Sequence, residues 1–326
     1  MTVSVGVLGV GSMGRHHARV YAESSNAELV GVSDVNEENA AEVTLEYGTQ
    51  AMSTEELLDA ADAVSVAVPS RYHRSVTMEV LDAGVHALVE KPLATTTADA
   101  EALVDAADAA GVVLQVGHIE RFNPAVRTVS EFVDDLDLIA ADARRLGPPV
   151  EDERDVGDGV VFDLMIHDLD VLLSLVGSPV IDVSAAGSPD DQYVAATLGF
   201  ENDVVGSLTA SRVTQRKVRE LTLTATNCIV TVDYIDRSVR IYRRTRPEFL
   251  VDDGDLRYRS EQVVERPTVD NGEPLKKELD AFLDAIRNGT EPVVSGRDGV
   301  DALSLAHRVR TALEPEVPLE GINATR

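Results

Sequence analysis

The sequence has one cysteine, Cys228, no tryptophan and only four lysines among its 326 residues. A single cysteine excludes an intrachain disulfide and a metal centre built from several thiolates. No apolar run approaches the roughly 18 residues that a membrane-spanning helix requires. The N-terminus lacks the basic region and the cleavage site of a secretion signal. We therefore expect a soluble, cytoplasmic protein with no membrane partner.

Basic residues are also scarce, with 29 Lys and Arg against 57 Asp and Glu and a net charge of −28. A surface of this sign repels phosphate backbones, so no nucleic-acid partner is expected. The lysines are Lys91, Lys217, Lys276 and Lys277. Few lysines with many Asp, Ala and Val residues are typical of halophilic organisms, because molar salt shortens the Debye length to about 3 Å. An acidic enzyme from an ordinary organism is the alternative.

The chain has enough apolar residues, 44%, to form sizeable cores, and its length predicts two domains. Residues 1–118 alternate short apolar runs with amphipathic ones, which predicts a doubly wound α/β domain around a parallel sheet. Within residues 119–326, the stretch Ile181–Arg243 contains strands without intervening helices, which predicts an α+β domain with a large, mostly antiparallel sheet. A helix is predicted over Val160–Val176 within it.

A glycine-rich motif, Gly9-x-Gly11-x-x-Gly14, follows the first predicted strand and opens the first predicted helix. In this context it predicts a Rossmann-type dinucleotide site, with the helix N-terminus facing the pyrophosphate. Asp34 ends the next strand, where a carboxylate would bind the adenosine ribose hydroxyls. The following Val35 and Asn36 supply no arginine for a 2′-phosphate, which favours NAD over NADP. The alternative is a plain glycine turn with a surface aspartate.

Two further patterns are candidates for proton chemistry. Glu90-Lys91-Pro92 stands at the carboxyl end of a predicted parallel strand, where ligands of such sheets bind, although Lys-Pro is also common in ordinary turns. Asp163 and His167 are spaced i, i+4 on the predicted helix, so they share a face. A helix-stabilising Asp–His pair is the simpler interpretation. No metal is expected, because no third and fourth ligand follow a recognisable spacing.

Together, these motifs and their order resemble the glucose–fructose oxidoreductase, inositol dehydrogenase and rhizopine catabolism family (Gfo/Idh/MocA). Within it, Gly117–Pro124 and Asp163–Asp170 look most like the UDP-N-acetylglucosamine 3-dehydrogenases. The resemblance implies NAD-dependent oxidation of a sugar hydroxyl to a ketone, at the 3-hydroxyl of UDP-N-acetylglucosamine. A dehydrogenase for a free sugar, inositol or related polyol is the alternative. A non-catalytic cofactor-binding regulator is a third hypothesis.

The resemblance also implies roles for particular residues. Lys91 and His167 would surround the reacting hydroxyl, either one as the base, with Asp163 orienting them. The implied cofactor contacts are Gly9, Gly11, Ser12, Met13, Gly14, Asp34, Pro69, Ser70, His73, Glu90 and Lys91. The implied substrate contacts are Arg121, Asn123, Arg145 and Arg154. His16 and His17 are assigned to packing or solvent contact. A homodimer or homotetramer is expected, formed through the second-domain sheet.

Overall fold

The computed structural model describes residues 2–149, 159–244, 248–252, 255–259 and 262–313. These residues form two compact units that interleave along the chain. The first unit contains residues 2–134, 236–239 and 266–304, and the second contains the described residues of 135–235, 240–265 and 305–313. The sequence placed a single boundary at residue 118, and that division into functional domains stays a prediction.

The first unit is built around a parallel sheet. Its strands are β1 (Val3–Leu8), β2 (Ala27–Ser33), β3 (Ala63–Val66), β4 (His86–Glu90) and β5 (Leu114–Gly117). The strand order is β2-β1-β3-β4-β5, and every neighbouring pair is parallel. The helices between them are α1 (Ser12–Glu23), α2 (Glu37–Tyr47), α3 (Thr54–Ala60), α4 (His73–Asp82) and α5 (Thr97–Ala110), and α6 (Pro124–Ser130) follows. This arrangement confirms the predicted doubly wound α/β sheet.

Strand burial explains why the pattern was readable in the sequence. Val5 and Val7 of β1 are fully buried, as are all four residues of β3, because helices cover both faces of a parallel sheet. The helix ends carry their own signals. Ser53 caps α3 in a capping box, and α2 and α5 end at Gly48 and Gly111 in the left-handed conformation.

The second unit contains an eight-stranded sheet. Its strands are β6 (Leu138–Leu146), β7 (Val180–Gly187), β8 (Tyr193–Phe200), β9 (Val205–Ser211), β10 (Val218–Ala225), β11 (Cys228–Asp233), β12 (Ser238–Arg244) and β15 (Gln262–Glu265). The order is β15-β12-β11-β10-β6-β9-β8-β7, with β6 and β9 parallel and antiparallel pairing elsewhere in the recorded registers. A separate hairpin joins β13 (Glu248–Asp252) and β14 (Asp255–Arg259). The predicted mostly antiparallel sheet is confirmed.

A helix covers one face of this sheet. Helix α7 (Ile166–Val176) packs against β6, and its Leu172 lies close to Gly206 of β9. At Gly206 a Cβ atom would lie 3.1 Å from the Phe200 ring and 3.4 Å from Leu172, so glycine permits the close approach. Val194 and Phe200 alternate with outward residues along β8, the pattern of a sheet with one buried face.

The predicted helix over Val160–Val176 is confirmed as one continuous helical segment, although part of it is wound differently from an α-helix. Val161–Met165 forms a single π-helical turn, and Ile166–Val176 is α-helical. Apolar residues at both ends of Val161–Met165 suit either winding, so the hydrophobic period could not distinguish them. A π turn shifts the angular position of every preceding side chain, and such turns occur frequently at functional sites.

The chain returns to the first unit in α8 (Pro274–Asn288), and α9 (Gly296–Ala312) follows. Leu279, Phe282 and Leu283 of α8 are buried in one apolar cluster with Val5 and Tyr21. The Gln115 side-chain amide on β5 also donates to the Glu278 carbonyl at 3.2 Å. A helix from late in the sequence therefore completes the core of the first sheet.

Candidate active site

The turn between β1 and α1 has the geometry that its three glycines predict. Gly9 adopts φ +85°, and a Cβ there would lie 2.9 Å from the Ala67 carbonyl group. A Cβ at Gly14 would lie 1.8 Å from the Gly9 oxygen, so the helix can pack on the turn only with glycine. Around Gly11 a Cβ would meet no described atom within 4 Å. Gly11, Ser12 and Met13 thus border open space at the N-terminus of α1.

Asp34 stands just beyond β2, next to this turn. One carboxylate oxygen accepts the Val10 N–H at 2.7 Å, and the other accepts the Asn36 N–H at 2.8 Å. The carboxylate is therefore fixed by two backbone donors at the sheet edge. An open Gly11, a helix N-terminus and a fixed carboxylate fit the pyrophosphate and ribose of a dinucleotide. These residues would hold NAD.

Arg15 is a cation near the turn that the sequence argument did not consider. Its Nε donates to the Val10 carbonyl at 3.2 Å, and its Nη2 contacts Asn39 at 3.1 Å and Glu42 at 2.6 Å. The guanidinium is thus engaged by neutral and acidic partners on α2. Asp34 is the residue of this group that suits a ribose diol.

Glu90 ends β4 and Lys91 follows it, at the same edge of the sheet as the glycine turn, and the Lys91–Pro92 bond is cis. Glu90 Oε1 contacts Nε2 of His17, a fully buried residue of α1, at 3.0 Å. Burial favours the neutral form of Glu90, but the His17 hydrogen bond and the charges of His17 and Lys91 lower its pKa overall. His17 therefore contacts Glu90, a candidate site residue. The sequence did not indicate this contact.

The segment after β3 supplies Pro69, Ser70 and His73. Ser70–Tyr72 forms a short 3-10 turn, and His73 begins α4. The buried His73 ring lies 2.7 Å from the Pro92 carbonyl oxygen through Nδ1 and 2.9 Å from that of Val68 through Nε2. Its contacts thus join the loops after β3 and β4. Direct cofactor contacts by Pro69, Ser70 and His73 stay predictions.

The end of β5 lies beside Glu90, since Gly117 pairs with it in the sheet register. A Cβ at Gly117 would lie 3.2 Å from the Glu90 carboxyl carbon, so glycine makes room for the acid. His118 follows, fully buried, and neither ring nitrogen has a partner among the described residues. Burial and the charges of Arg121 and Lys91 lower the pKa of His118 to about 3, so this imidazole is neutral.

Arg121 and Asn123 lie in the first unit, near the start of α6. Arg121 Nη2 donates to the Val293 carbonyl at 3.3 Å and lies 4.0 Å from Asp298. Asn123 is buried and caps α6, with its oxygen accepting the Ala125 N–H at 3.1 Å. Both residues therefore make contacts that stabilise the first unit. Their contact with substrate stays a prediction.

In the second unit, Asp163 lies on the π turn and His167 near the start of α7. A nearby cation orients Asp163, because Arg212 Nη2 donates to its Oδ2 at 2.5 Å. Arg212 was not predicted, as it stands 49 residues away on the chain. Asp163 and His167 belong to a different unit from Lys91, and their catalytic roles stay predictions.

Arg145 forms a buried ion pair instead of standing open at a surface. Its Nε and Nη2 donate to the two Asp168 oxygens at 2.7 and 2.9 Å, and about 5% of each side chain is exposed. Such bidentate pairs position elements rigidly. The pair ties β6 to α7, and contact of Arg145 with substrate stays a prediction. Arg154, the fourth predicted substrate contact, lies outside the described residues.

Two family models match the chain. The model described as the Gfo/Idh/MocA oxidoreductase family, NAD-binding Rossmann fold, matches residues 3–118. The model of its C-terminal alpha/beta domain matches residues 144–320. The chain belongs to the Gfo/Idh/MocA oxidoreductase family. It is an NAD-dependent dehydrogenase, so the hypothesis of a non-catalytic regulator is set aside.

Similar proteins include two with stated substrates. The UDP-N-acetylglucosamine 3-dehydrogenase of Acidithiobacillus ferrooxidans is 35% identical over 317 residues, which cover 95% of this chain and 96% of that protein. Myo-inositol 2-dehydrogenase of Thermotoga maritima is 25% identical over 347 residues, covering 95% and 96%.

Solved structures agree with the fold. A structure of the Acidithiobacillus ferrooxidans enzyme superposes with a TM-score of 0.86 at 32% identity, covering 96% of this chain and 98% of that one. A putative myo-inositol dehydrogenase from Sinorhizobium meliloti gives 0.79 at 22% identity, covering 96% and 97%. Within the described residues, no helix is long and apolar enough to cross a bilayer, and no group of three metal-ligating side chains occurs.

Proposed function

We propose that this dehydrogenase oxidises the 3-hydroxyl of UDP-N-acetylglucosamine to a ketone. The observation that carries the proposal is the 35% identity, spread over 95% of the chain, to an enzyme named for that reaction. The inositol dehydrogenase that matches over a similar length is 25% identical. Oxidation of inositol, a free sugar or a related polyol is the second candidate, supported by those relatives.

The cofactor site supports this chemistry from the first unit. NAD+ supplies the hydride acceptor when it is bound. The helix N-terminus at Gly11 would hold the pyrophosphate, and the Asp34 carboxylate would bind the ribose hydroxyls. Lys91 stands two strands from the glycine turn, at the same edge of the sheet. It would hold or accept the proton of the reacting hydroxyl.

His167 is the other candidate base, and Asp163 would orient it. A histidine ordinarily titrates near 6.5 and needs little adjustment to act as a base at neutral pH, whereas a lysine must lose its proton first. Both remain candidates for the proton acceptor. The Arg212 contact holds Asp163 in one orientation on the π turn, which supports a positioning role for this carboxylate.

A substrate panel tests the proposal. Purified protein is incubated with NAD+ in high salt and with UDP-N-acetylglucosamine, UDP-glucose, glucose, glucose 6-phosphate and myo-inositol, and NADH formation is followed at 340 nm. We expect turnover with UDP-N-acetylglucosamine and a 3-keto product by mass spectrometry and NMR. Turnover of inositol or a free sugar with none of the UDP-sugars would support the second candidate.

Lys91→Met tests the assignment of the proton site, because it removes the amine while keeping an unbranched side chain. General acid–base groups contribute about 10²–10⁴-fold, so we expect a kcat loss of at least about a hundredfold. Lys276→Met is the matched control, since Lys276 is exposed on α8 and pairs with Asp280. Equal activity of both variants would contradict the assignment.

We also propose a homo-oligomer through the open face of the eight-stranded sheet. The large apolar residues exposed there include Tyr193 at 40%, Val205 at 47% and Ile229 at 42%. Such a sheet face is stabilised when a second copy removes it from water. Light scattering should give a dimer or larger, and Val205→Arg should reduce the molar mass. A monomeric parent protein would refute the proposal.

A further inference from the structure

A buried hydrogen bond joins the helix of the glycine turn to the Glu90–Lys91 segment. His17 of α1 is fully buried, and its Nε2 lies 3.0 Å from Glu90 Oε1. Only 13% of the Glu90 side chain is exposed. The other ring nitrogen, Nδ1, has no partner among the described residues. The contact with Glu90 is therefore the one hydrogen bond that orients this ring within that part of the chain.

Strand order indicates which part of the cofactor lies near Glu90. Asp34 marks the adenosine ribose at the end of β2, and the glycine turn after β1 marks the pyrophosphate. The sheet continues through β3 to β4, where Glu90 stands. A dinucleotide that begins at Asp34 and crosses β1 therefore extends its nicotinamide end toward β3 and β4. The Glu90 carboxyl group lies at that end.

The surroundings of Glu90 determine its charge. Burial favours the neutral acid, while the hydrogen bond from His17 and the charges of His17 and Lys91 favour the carboxylate, and the pKa of Glu90 is lowered overall. His73 faces it from α4 and His118 from the end of β5. Burial lowers the pKa of both imidazoles, so each is neutral above pH 7. His17 supplies the direct hydrogen bond that favours the charged form.

We propose that His17 is a positioning residue that keeps Glu90 anionic and aimed at the nicotinamide end of the cofactor site, so that the protein favours NAD+ over NADH. The nicotinamide ring is positively charged in NAD+ and neutral in NADH. A fixed carboxylate in a largely buried place attracts the oxidised ring and not the reduced one. The inference rests on NAD binding and not on the identity of the sugar.

His17→Phe tests this role, because it keeps a planar ring and removes the hydrogen bond. The measured quantity is the ratio of the NADH and NAD+ dissociation constants, obtained by calorimetry without any sugar. We expect this ratio to fall about tenfold at pH 6. A loss of this size is within the attraction between the Glu90 carboxylate and the positively charged nicotinamide ring of NAD+. Without His17, burial raises the pKa of Glu90. In His17→Phe, Glu90 should therefore gain a proton as the pH decreases from 9 to 6, and the ratio of the two dissociation constants should fall. In the parent protein the ratio should stay constant over this range.

Four further variants make the result specific. His16→Phe is the matched control, since His16 is the neighbouring, exposed residue of the same helix, and its ratio should equal that of the parent. His17→Gln restores an N–H donor and should recover most of the ratio. Glu90→Gln removes the charge itself and should reproduce the His17→Phe value at pH 6. Adding His17→Phe to Glu90→Gln should change the ratio no further.

The outcomes separate a charge effect from a packing effect. If His17→Phe weakens NAD+ and NADH equally, or lowers the ratio equally at every pH, His17 only packs and the proposal fails. If Glu90→Gln leaves the ratio unchanged, Glu90 does not face the nicotinamide and the proposal also fails. Substrate turnover is not used, so a different sugar in the panel would leave this result unaffected.

Discussion

Asp34 shows how one side chain can serve both the fold and ligand choice. Its two carboxylate oxygens accept the backbone N–H groups of Val10 and Asn36. These bonds hold the acid in place before any ligand arrives. A negative charge fixed at this point repels a 2′-phosphate, whereas hydroxyl groups can donate to it. Preference for NAD over NADP therefore depends on the charge more than on the shape of this residue.

Asp34→Asn separates charge from shape. The amide keeps one oxygen for the Val10 N–H and removes the charge, so we expect discrimination between NAD+ and NADP+ to fall about tenfold, the effect of about 1.4 kcal/mol. The ratio of kcat/KM for the two cofactors measures it. Asp62→Asn is the control, because Asp62 accepts the Ser4 N–H at the opposite end of β1 at 2.9 Å. An unchanged ratio in Asp34→Asn would contradict this role.

Residue types at strand ends could be predicted from the sequence, but their long-range partners could not. The glycine spacing, Asp34 and Lys91 all follow recognisable strands. His17 contacts Glu90 across 73 residues, and Arg212 contacts Asp163 across 49. No local spacing encodes such pairs, since they arise only when α1 packs on the sheet or β9 ends beside the π turn. His17 was therefore assigned to packing.

The turn between β1 and α1 uses its glycines for different purposes. Gly14 is required for packing, because a Cβ would clash with the Gly9 oxygen at 1.8 Å. Gly11 has free space on the side where a Cβ would stand. A ligand phosphate needs that space. The same motif thus contains one position that serves the fold and one that serves binding.

Alanine at each position should separate these two roles. We expect Gly14→Ala to lower the free energy of unfolding by about 2 kcal/mol or more, because the turn must shift. Gly11→Ala should keep its melting temperature within about 2 °C and lose about tenfold or more in NAD+ affinity. Gly147→Ala is the matched control, since its Cβ would also meet nothing within 4 Å. A strongly destabilised Gly11→Ala would mean that this glycine serves packing instead.

Helices and strands could be predicted from the sequence where burial gives their apolar residues a regular spacing. The parallel strands are nearly continuous apolar runs, and the antiparallel strands alternate, as in β8. The π turn at Val161–Met165 escaped prediction because its apolar residues fit an α-helix equally well. The ion-pair partner of Arg145 could not be predicted for a related reason. Sequence shows an arginine near a strand end, but the buried carboxylate of Asp168 that engages it lies 23 residues on.

At the scale of the whole molecule, the excess of acid over base is the dominant electrostatic feature. A net charge of −28 on 326 residues repels itself in dilute buffer. We propose that this composition is an adaptation to concentrated salt. At about 1 M salt the Debye length is about 3 Å, so most of this repulsion is screened.

The melting temperature should therefore rise with KCl. Between 0.1 and 2 M KCl we expect an increase of about 5–10 °C, equivalent to about 2–4 kcal/mol at roughly 2–4 °C per kcal/mol. Calorimetry at pH 7 measures it, with sucrose as an uncharged stabiliser for comparison. A melting temperature that stays flat or falls with KCl would indicate an ordinary acidic enzyme.

The position of helix α8 late in the sequence has a consequence for folding during synthesis on the ribosome. Leu279, Phe282 and Leu283 complete an apolar cluster that begins with Val3 and Val5. When residue 118 has been synthesised, the five strands exist but this covering helix does not. A further 283 − 118 = 165 residues must be added, which takes roughly 10–30 s at common elongation rates. During that interval the nascent sheet exposes apolar surface, which makes this stage of synthesis a natural point for chaperone binding.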